Sequence, residues 1–261
     1  MSSSFKDGGS ILPKIPATKY REIAAETNWA EFEKVLRSRR SVRVYTGEAI
    51  PEVVVQKCLD MALLAPNSSN LQPWEFHRVI SKDKKALLVQ ACLGQSAART
   101  AAELIVCVAR IKTWQRNARQ NLKFYESLAD SPKSLLAYYQ KIVPLVYSQG
   151  PVGIFGLIKR PLLWLVGFFR PTPRAPVGKA DMRIWAHKST ALACENLMLA
   201  FRAAGFDTCP MEGMDENRIR KILKLDSDAE VCMVISAGRR AENGVYGPQI
   251  RFARDQFVKQ I

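Results

Sequence analysis

The chain has no closely spaced cysteines. Cys58, Cys92, Cys107, Cys194, Cys209 and Cys232 are nowhere closer than fifteen residues, which excludes CxxC redox motifs and the usual zinc spacings. Several lie in apolar runs such as "LIVCVA" and "EVCMVIS", where a free thiol behaves as a small hydrophobe. That usage points to a reducing compartment, the cytoplasm. The first residues, "MSSSFKDGGSILPKIPATK", lack the apolar core of a secretory signal and read as an N-terminal extension, 1–27. There are no internal repeats, no linker that would split the chain, no nucleophile elbow and no dinucleotide fingerprint. "GPVGIFG" has the wrong glycine spacing and no strand before it. His77 falls in a strand-like run and His187 in a helix-like one, and both read as structural.

Acidic residues are also scarce. Against 24 aspartates and glutamates stand 39 lysines and arginines, a net charge of +15 with a pI near 9.7. Such a balance attracts polyanions: nucleic acid, an acidic membrane or phosphorylated ligands. The basic residues are spread along the chain without a zinc-finger or RNA-recognition pattern, so charge alone selects no partner and no nucleic acid is expected. An apolar share of 48% marks a chain with a core rather than a disordered one.

Helical and strand-like patterns interleave from residue 28 to 261, giving a single domain of α+β or α/β class. Asn28 and Glu31 resemble a capping box, followed by Trp29, Phe32, Val35 and Leu36 on one face. A second helix opens near Pro51 and stops at the turn formers of "APNSSNLQP". "WEFHRVIS" and "EVCMVISAG" read as strands, and "ELIVCVAR" as a strand covered on both faces. A long helix spans about 181–204 with Gly205 as its cap and Asp215 opens another. The long helix is apolar nearly all round, so both its sides are expected to be covered.

Three polar stretches interrupt these elements: "RRSVRVY", "APNSSNLQPW" and "PMEG". In an extended chain Arg39, Ser41 and Arg43 share a face. Two guanidiniums and a hydroxyl suit a phosphate, although a solvated charge run is the alternative. Together, in that order, the three stretches resemble the FMN-dependent nitroreductase family, from about Trp29 to the C-terminus apart from 111–178. The resemblance implies a mixed central sheet wrapped by helices in an intertwined homodimer, with two FMN sites at the interface. It implies that Arg39, Arg40 and Ser41 hold the flavin phosphate and ribityl chain, with Arg43 near the pyrimidine edge. Pro66, Asn67, Ser68, Asn70 and Gln72 would pack against the partner subunit's flavin. Pro210, Met211, Glu212 and Gly213 would lie along the ring. Gln95, with Arg99 as its rival, and Arg251 in the tail complete the set. The implied activity is NADH- or NADPH-dependent reduction of a small aromatic or quinone-like acceptor by a ping-pong scheme. Flavin destruction or reductive dehalogenation, and a basic protein binding nucleic acid or anionic membrane, are the rival readings.

The chemistry fits these residue types. A phosphate dianion calls for charge-assisted donors, and a fixed cation beside the ring offsets the negative charge that two-electron reduction leaves at N1 and O2. The cofactor carries the hydride, so the protein supplies position and electrostatics.

The 111–178 excursion is the departure from the family. Within it Val152 to Phe169 is mostly apolar but divided by Lys159, Arg160 and Pro161, which argues against a membrane-spanning helix. A lid over the site is the preferred reading. A buried helical hairpin and an interfacial segment in peripheral contact with a membrane are the alternatives.

Overall fold

A computed structural model describes residues 20–150 and 154–261, so most of the N-terminal extension and the first two residues of the 152–169 run lie outside the described residues. The chain order is α1 (Trp29–Ser38), α2 (Glu52–Leu63), β1 (Trp74–Arg78), α3 (Lys82–Ala91), α4 (Ser96–Arg99), β2 (Glu103–Arg110), α5 (Trp114–Glu126), α6 (Lys133–Ala137), α7 (Val143–Tyr147), α8 (Ile154–Phe169), α9 (Lys179–Ala203), β3 (Asp207–Met211), α10 (Glu216–Leu223) and β4 (Ala229–Gly238).

The four strands form one sheet in the order β1-β2-β4-β3, antiparallel at every pairing. Parallel character enters through a single bridge, Ser41 to Thr208, which lays "RRSVRVY" along the β3 edge. The continuous apolar run of β2 has the expected consequence: Leu104 to Ala109 are all buried. Leu104, Val106 and Val108 meet Leu88 and Ala91 of α3 and Ile219 of α10. Ile105 and Cys107 meet Val55 of α2 and Leu197 and Phe201 of α9. Side chains of alternate residues thus build two cores, one on each sheet face.

Local signals account for the ends of these helices. Asn28 Oδ1 accepts the Glu31 N–H at 3.2 Å, and Asp215 Oδ1 accepts that of Arg218 at 3.0 Å. Asp181 Oδ2 accepts the N–H groups of Val177 and Gly178 at 2.9 and 2.8 Å, fixing the start of α9. Those two donors hold its carboxyl below the usual carboxylate range. After α9 the chain turns at Gly205, whose φ of +86° is left-handed.

Two expectations are not met within the single chain. The long helix buries one side, including Trp185, Cys194 and Phe201, but Ile184 and Leu192 on the other are exposed. Likewise Trp29, Phe32 and Leu36 of α1 stand in solvent. The second correction concerns the excursion: no buried hairpin forms. Pro161 sits inside one continuous helix, α8, of whose residues only Gly156 is buried.

Candidate functional site

"RRSVRVY" begins where α1 ends, and two of its residues turn inward. Val42 is fully buried and Tyr45 nearly so; the Tyr45 hydroxyl lies 2.9 Å from Ser236 Oγ. Burial pushes that phenol well above its ordinary pKa, so it stays protonated. The backbone of Val42 donates to Thr208 O at 3.0 Å and that of Arg43 to Gly244 O at 2.7 Å. With Val42 and Tyr45 anchored inward, the arginines and Ser41 turn to the other side.

There they line a cavity of about 150 Å³ formed by Arg39, Arg40, Ser41 and Arg43 together with Pro248, Gln249, Ile250 and Arg251. Four arginines therefore line one cavity with Ser41. Arg39 Nε lies 3.9 Å from Glu195 Oε1, a loose pair that orients the side chain without neutralising it closely. Arg40 Nη2 donates to the carbonyl of Gly247 and so ties the tail to the first motif. Arg43 Nη1 donates to Ser41 O at 3.3 Å, and its guanidinium rests over the Tyr246 ring, 5.5 Å from the centroid. Burial holds the neighbouring Cys209 thiol above its usual value, against the pull of Arg43 and Arg39. It is a thiol here and no nucleophile. This donor set suits a phosphate dianion: bidentate forks, a hydroxyl, and one carboxylate at a distance.

The turn-former loop is a separate construction. Ser69, Asn70 and Gln72 all have left-handed φ, +57°, +49° and +44°, each costing roughly 1 kcal/mol for a non-glycine residue. Asn67 Oδ1 accepts the Gln72 N–H at 2.7 Å. Ser68 Oγ lies 2.7 Å from the Tyr147 hydroxyl and Ser69 Oγ 2.6 Å from that of Tyr138. Asn121 Nδ2 donates to Asn70 O at 2.7 Å, and Asn117 Nδ2 to Leu71 O at 2.7 Å. Asn67 and Ser68 thus spend their side chains holding the loop. Pro66 is exposed at its entrance. Asn70 and Gln72 line a second cavity, about 250 Å³, with Leu63, Trp74, Arg116, Asn117, Gln120 and Asn121.

The third motif follows directly from β3. Pro210 and Met211 end the strand, with Met211 buried, while Glu212 and Gly213 are exposed beyond it. Gln95, whose N-terminal neighbours Leu93 and Gly94 are both left-handed, donates from Nε2 to Gly213 O at 2.7 Å. Arg99 instead bonds Ser96 Oγ at 3.2 Å, so Gln95 is the residue joined to this loop. At Gly213 an added Cβ would meet Gln95 Nε2 at 3.5 Å, ordinary contact. Nothing within the chain demands a glycine there. His77 lies 3.3 Å from Glu75 and His187 3.0 Å from Glu230, and neither is among the residues lining the two cavities.

Residues missed by sequence reasoning are those of the tail before Arg251, Tyr246 to Ile250, and the polar stripe of α5. Arg116, Asn117, Gln120 and Asn121 repeat at helical spacing, a signal that periodicity carries. The tail residues carry no comparable pattern.

The family model of the nitroreductase family matches residues 36–239. The NADH dehydrogenase of Thermus thermophilus is 28% identical over 207 residues, 79% of this chain and 85% of that protein. The 4-nitrobenzoate reductase of Pseudomonas putida is 26% identical over 219 residues, 82% of this chain and 87% of that protein. A nitroreductase-like protein from Exiguobacterium sibiricum, crystallised in complex with FMN, superposes with a TM-score of 0.62 at 23% identity, covering 91% of this chain and 99% of that one. The matched stretch contains "RRSVRVY", the strained "NSSNLQP" loop and the Gln95–Gly213 contact, so sequence, fold and local geometry meet in one conclusion: this chain belongs to the nitroreductase family.

Proposed function

We propose that the protein is a cytoplasmic, homodimeric FMN oxidoreductase that takes a hydride from NADH or NADPH and reduces a small aromatic acceptor of the nitroaromatic or quinone type. The observation that carries this reading is the convergence of Arg39, Arg40, Arg43 and Arg251 with Ser41 on one cavity. Arg39, Arg40, Ser41 and Arg251 would hold the flavin phosphate, and Arg43, steadied by Tyr246, would offset negative charge at the ring. When bound, FMN supplies the hydride chemistry, and the donor and acceptor occupy one place in turn.

The remaining residues orient. Gln95 fixes the Gly213 carbonyl and with it the Pro210–Gly213 loop beside the ring. Asn70 and Gln72 face a different cavity of their own chain, which is the arrangement required if they complete the partner subunit's site. The bare apolar faces of α1 and α9 support the homodimer, since exposed Trp29, Phe32, Ile184 and Leu192 would be covered by a second copy. The relative from Pseudomonas putida supports a nitroaromatic acceptor.

The test is chromatography of the cofactor released by denaturation, with stopped-flow reduction by NADH and NADPH. The expected results are FMN alone and rapid bleaching followed by acceptor-dependent recovery. Released FAD, or a colourless protein that FMN does not reconstitute, refutes the reading.

A further inference from the structure

Helix α8 is inside out. Its five partly or fully shielded residues, Gly156, Lys159, Leu163, Val166 and Gly167, fall on one helical face. Three of the five are glycine or lysine. Gly156 lies so close to the chain ahead of α9 that a Cβ would come within 2.9 Å of Val177 O. Lys159 Nζ reaches back to the carbonyls of Leu145 and Ser148 at 2.6 and 2.5 Å, closing the end of α7. Burial holds that amine below the usual lysine range. At Gly167 the missing side chain leaves room for the Arg174 guanidinium, which donates to Leu163 O at 3.3 Å.

The large hydrophobes point the other way. Leu157, Phe168 and Phe169 are 77%, 65% and 84% exposed, and Leu162, Trp164 and Leu165 are also more than half exposed. A surface helix ordinarily turns its apolar stripe to the core and its polar face to water. Here the polar contact is made with the protein and the apolar face is offered outward, as one patch rather than as scattered residues. Such a face suits an apolar medium outside the molecule.

Charge identifies the medium. From residue 131 to 180 there are seven lysines and arginines and no aspartate or glutamate. A second copy docking through this face would bring like charges together, whereas an acidic lipid surface attracts them. The sixteen residues of α8 span about 24 Å, short of the ~30 Å hydrocarbon core. No helix among the described residues is long and apolar enough to cross a membrane. Pro161, inside the helix, removes one backbone donor, which water replaces at an interface but not in hydrocarbon. Trp164 and Phe168 pack edge to face, 4.4 Å between centroids, as aromatic side chains of the headgroup zone can.

We propose that α8 is a membrane-docking helix: it lies in the interface of an anionic bilayer, with its Leu157–Trp164–Phe168 face among the acyl chains and Arg160 and Arg170 at the headgroups. This assignment does not depend on the flavin reading, because neither the helix nor its charges contribute to either cavity.

The experiment is co-sedimentation of the full chain with phosphatidylcholine vesicles with and without phosphatidylglycerol, with flavin content and Tm measured in parallel. Binding is expected with phosphatidylglycerol at low salt, and about tenfold weaker without it or at high salt. A Leu157→Ser, Trp164→Ser, Phe168→Ser variant should lose binding at least tenfold with unchanged Tm and flavin content. Arg160→Glu with Arg170→Glu should also weaken binding at least tenfold, at about fivefold per cation removed. This second variant alters only exposed side chains and keeps the test decisive if the first does not fold. Protein left in the supernatant with acidic vesicles overturns the proposal, as does binding indifferent to both variants. So does lipid-independent self-association in light scattering that the serine variant abolishes, which would make a second copy the occupant.

Discussion

Removing Arg251 is the cleanest probe of the arginine cavity, because the fold does not need it. It is exposed, and its guanidinium donates to the carbonyl of its neighbour Ile250 at 2.8 Å. Arg251→Ala should therefore leave the Tm of the flavin-free protein unchanged. A hydrogen bond to a charged partner contributes about 1.5–3 kcal/mol, so FMN affinity should fall roughly tenfold to a hundredfold. Arg40→Ala should cost more. Arg40 lines the same cavity and also tethers the tail through the Gly247 carbonyl, so its loss frees the segment on which Arg251 is mounted. The two effects then overlap: the double variant should lose less than the sum of the singles, by about 0.5–3 kcal/mol of coupling. Titration of FMN by fluorescence quenching, at fixed ionic strength, measures all four corners of the cycle. An Arg251→Ala affinity within twofold of the parent protein refutes the phosphate assignment, and strict additivity refutes the tether.

Three further outcomes follow from separate features. Gly213→Ala should fold normally, since the added methyl meets Gln95 Nε2 at 3.5 Å, yet weaken FMN binding if the ring lies along this loop; equal affinity would remove the loop from the site. Asn67→Ala leaves the Gln72 N–H without its 2.7 Å acceptor in a loop of left-handed residues and should lower stability by about 0.5–1.5 kcal/mol in urea denaturation, whereas an unchanged midpoint would mean that the tyrosines alone hold the loop. His187 is held above the usual imidazole value first by Cys232 and then by Glu230, against burial. Its stabilising contribution is thus complete below the unfolded pKa of about 6.5 and fades as pH rises through the higher folded value; His187→Gln should flatten that part of the Tm profile, and an unaltered profile would show that the pair is energetically silent.

What the sequence made legible was local. The unbroken apolar run of β2, the cap residues Asn28 and Asp215, and Gly205 after α9 each carry their physical cause within a few positions. The same holds in part for the first motif: Arg39, Ser41 and Arg43 do line one cavity, but strict alternation would have sent Arg40 to the opposite side. Arg251 was legible only through the family resemblance, because no spacing rule links it to Arg40 across the whole fold. The conformation of "NSSNLQP" was illegible for a related reason. Its residues announce a turn, but which of them go left-handed depends on Tyr138 and Tyr147, some seventy positions later. The excursion misled in the other direction. Its mixed composition hid the polar stripe of α5, and Pro161 divides an apolar run that the structure carries as one continuous helix.

The order of the strands has a consequence for biosynthesis. β4 is the last strand in the chain but the second in from one sheet edge, bonded to β2 on one side and β3 on the other. Until it has been translated, β2 of the β1–β2 pair lacks its second neighbour and β3 has no strand to pair with. Two unpaired edges and two half-built cores wait together for residues 229–238, a situation that invites association between nascent chains. The sheet therefore closes only with β4, and the arginine cavity, whose far wall is Pro248 to Arg251, can form only after that.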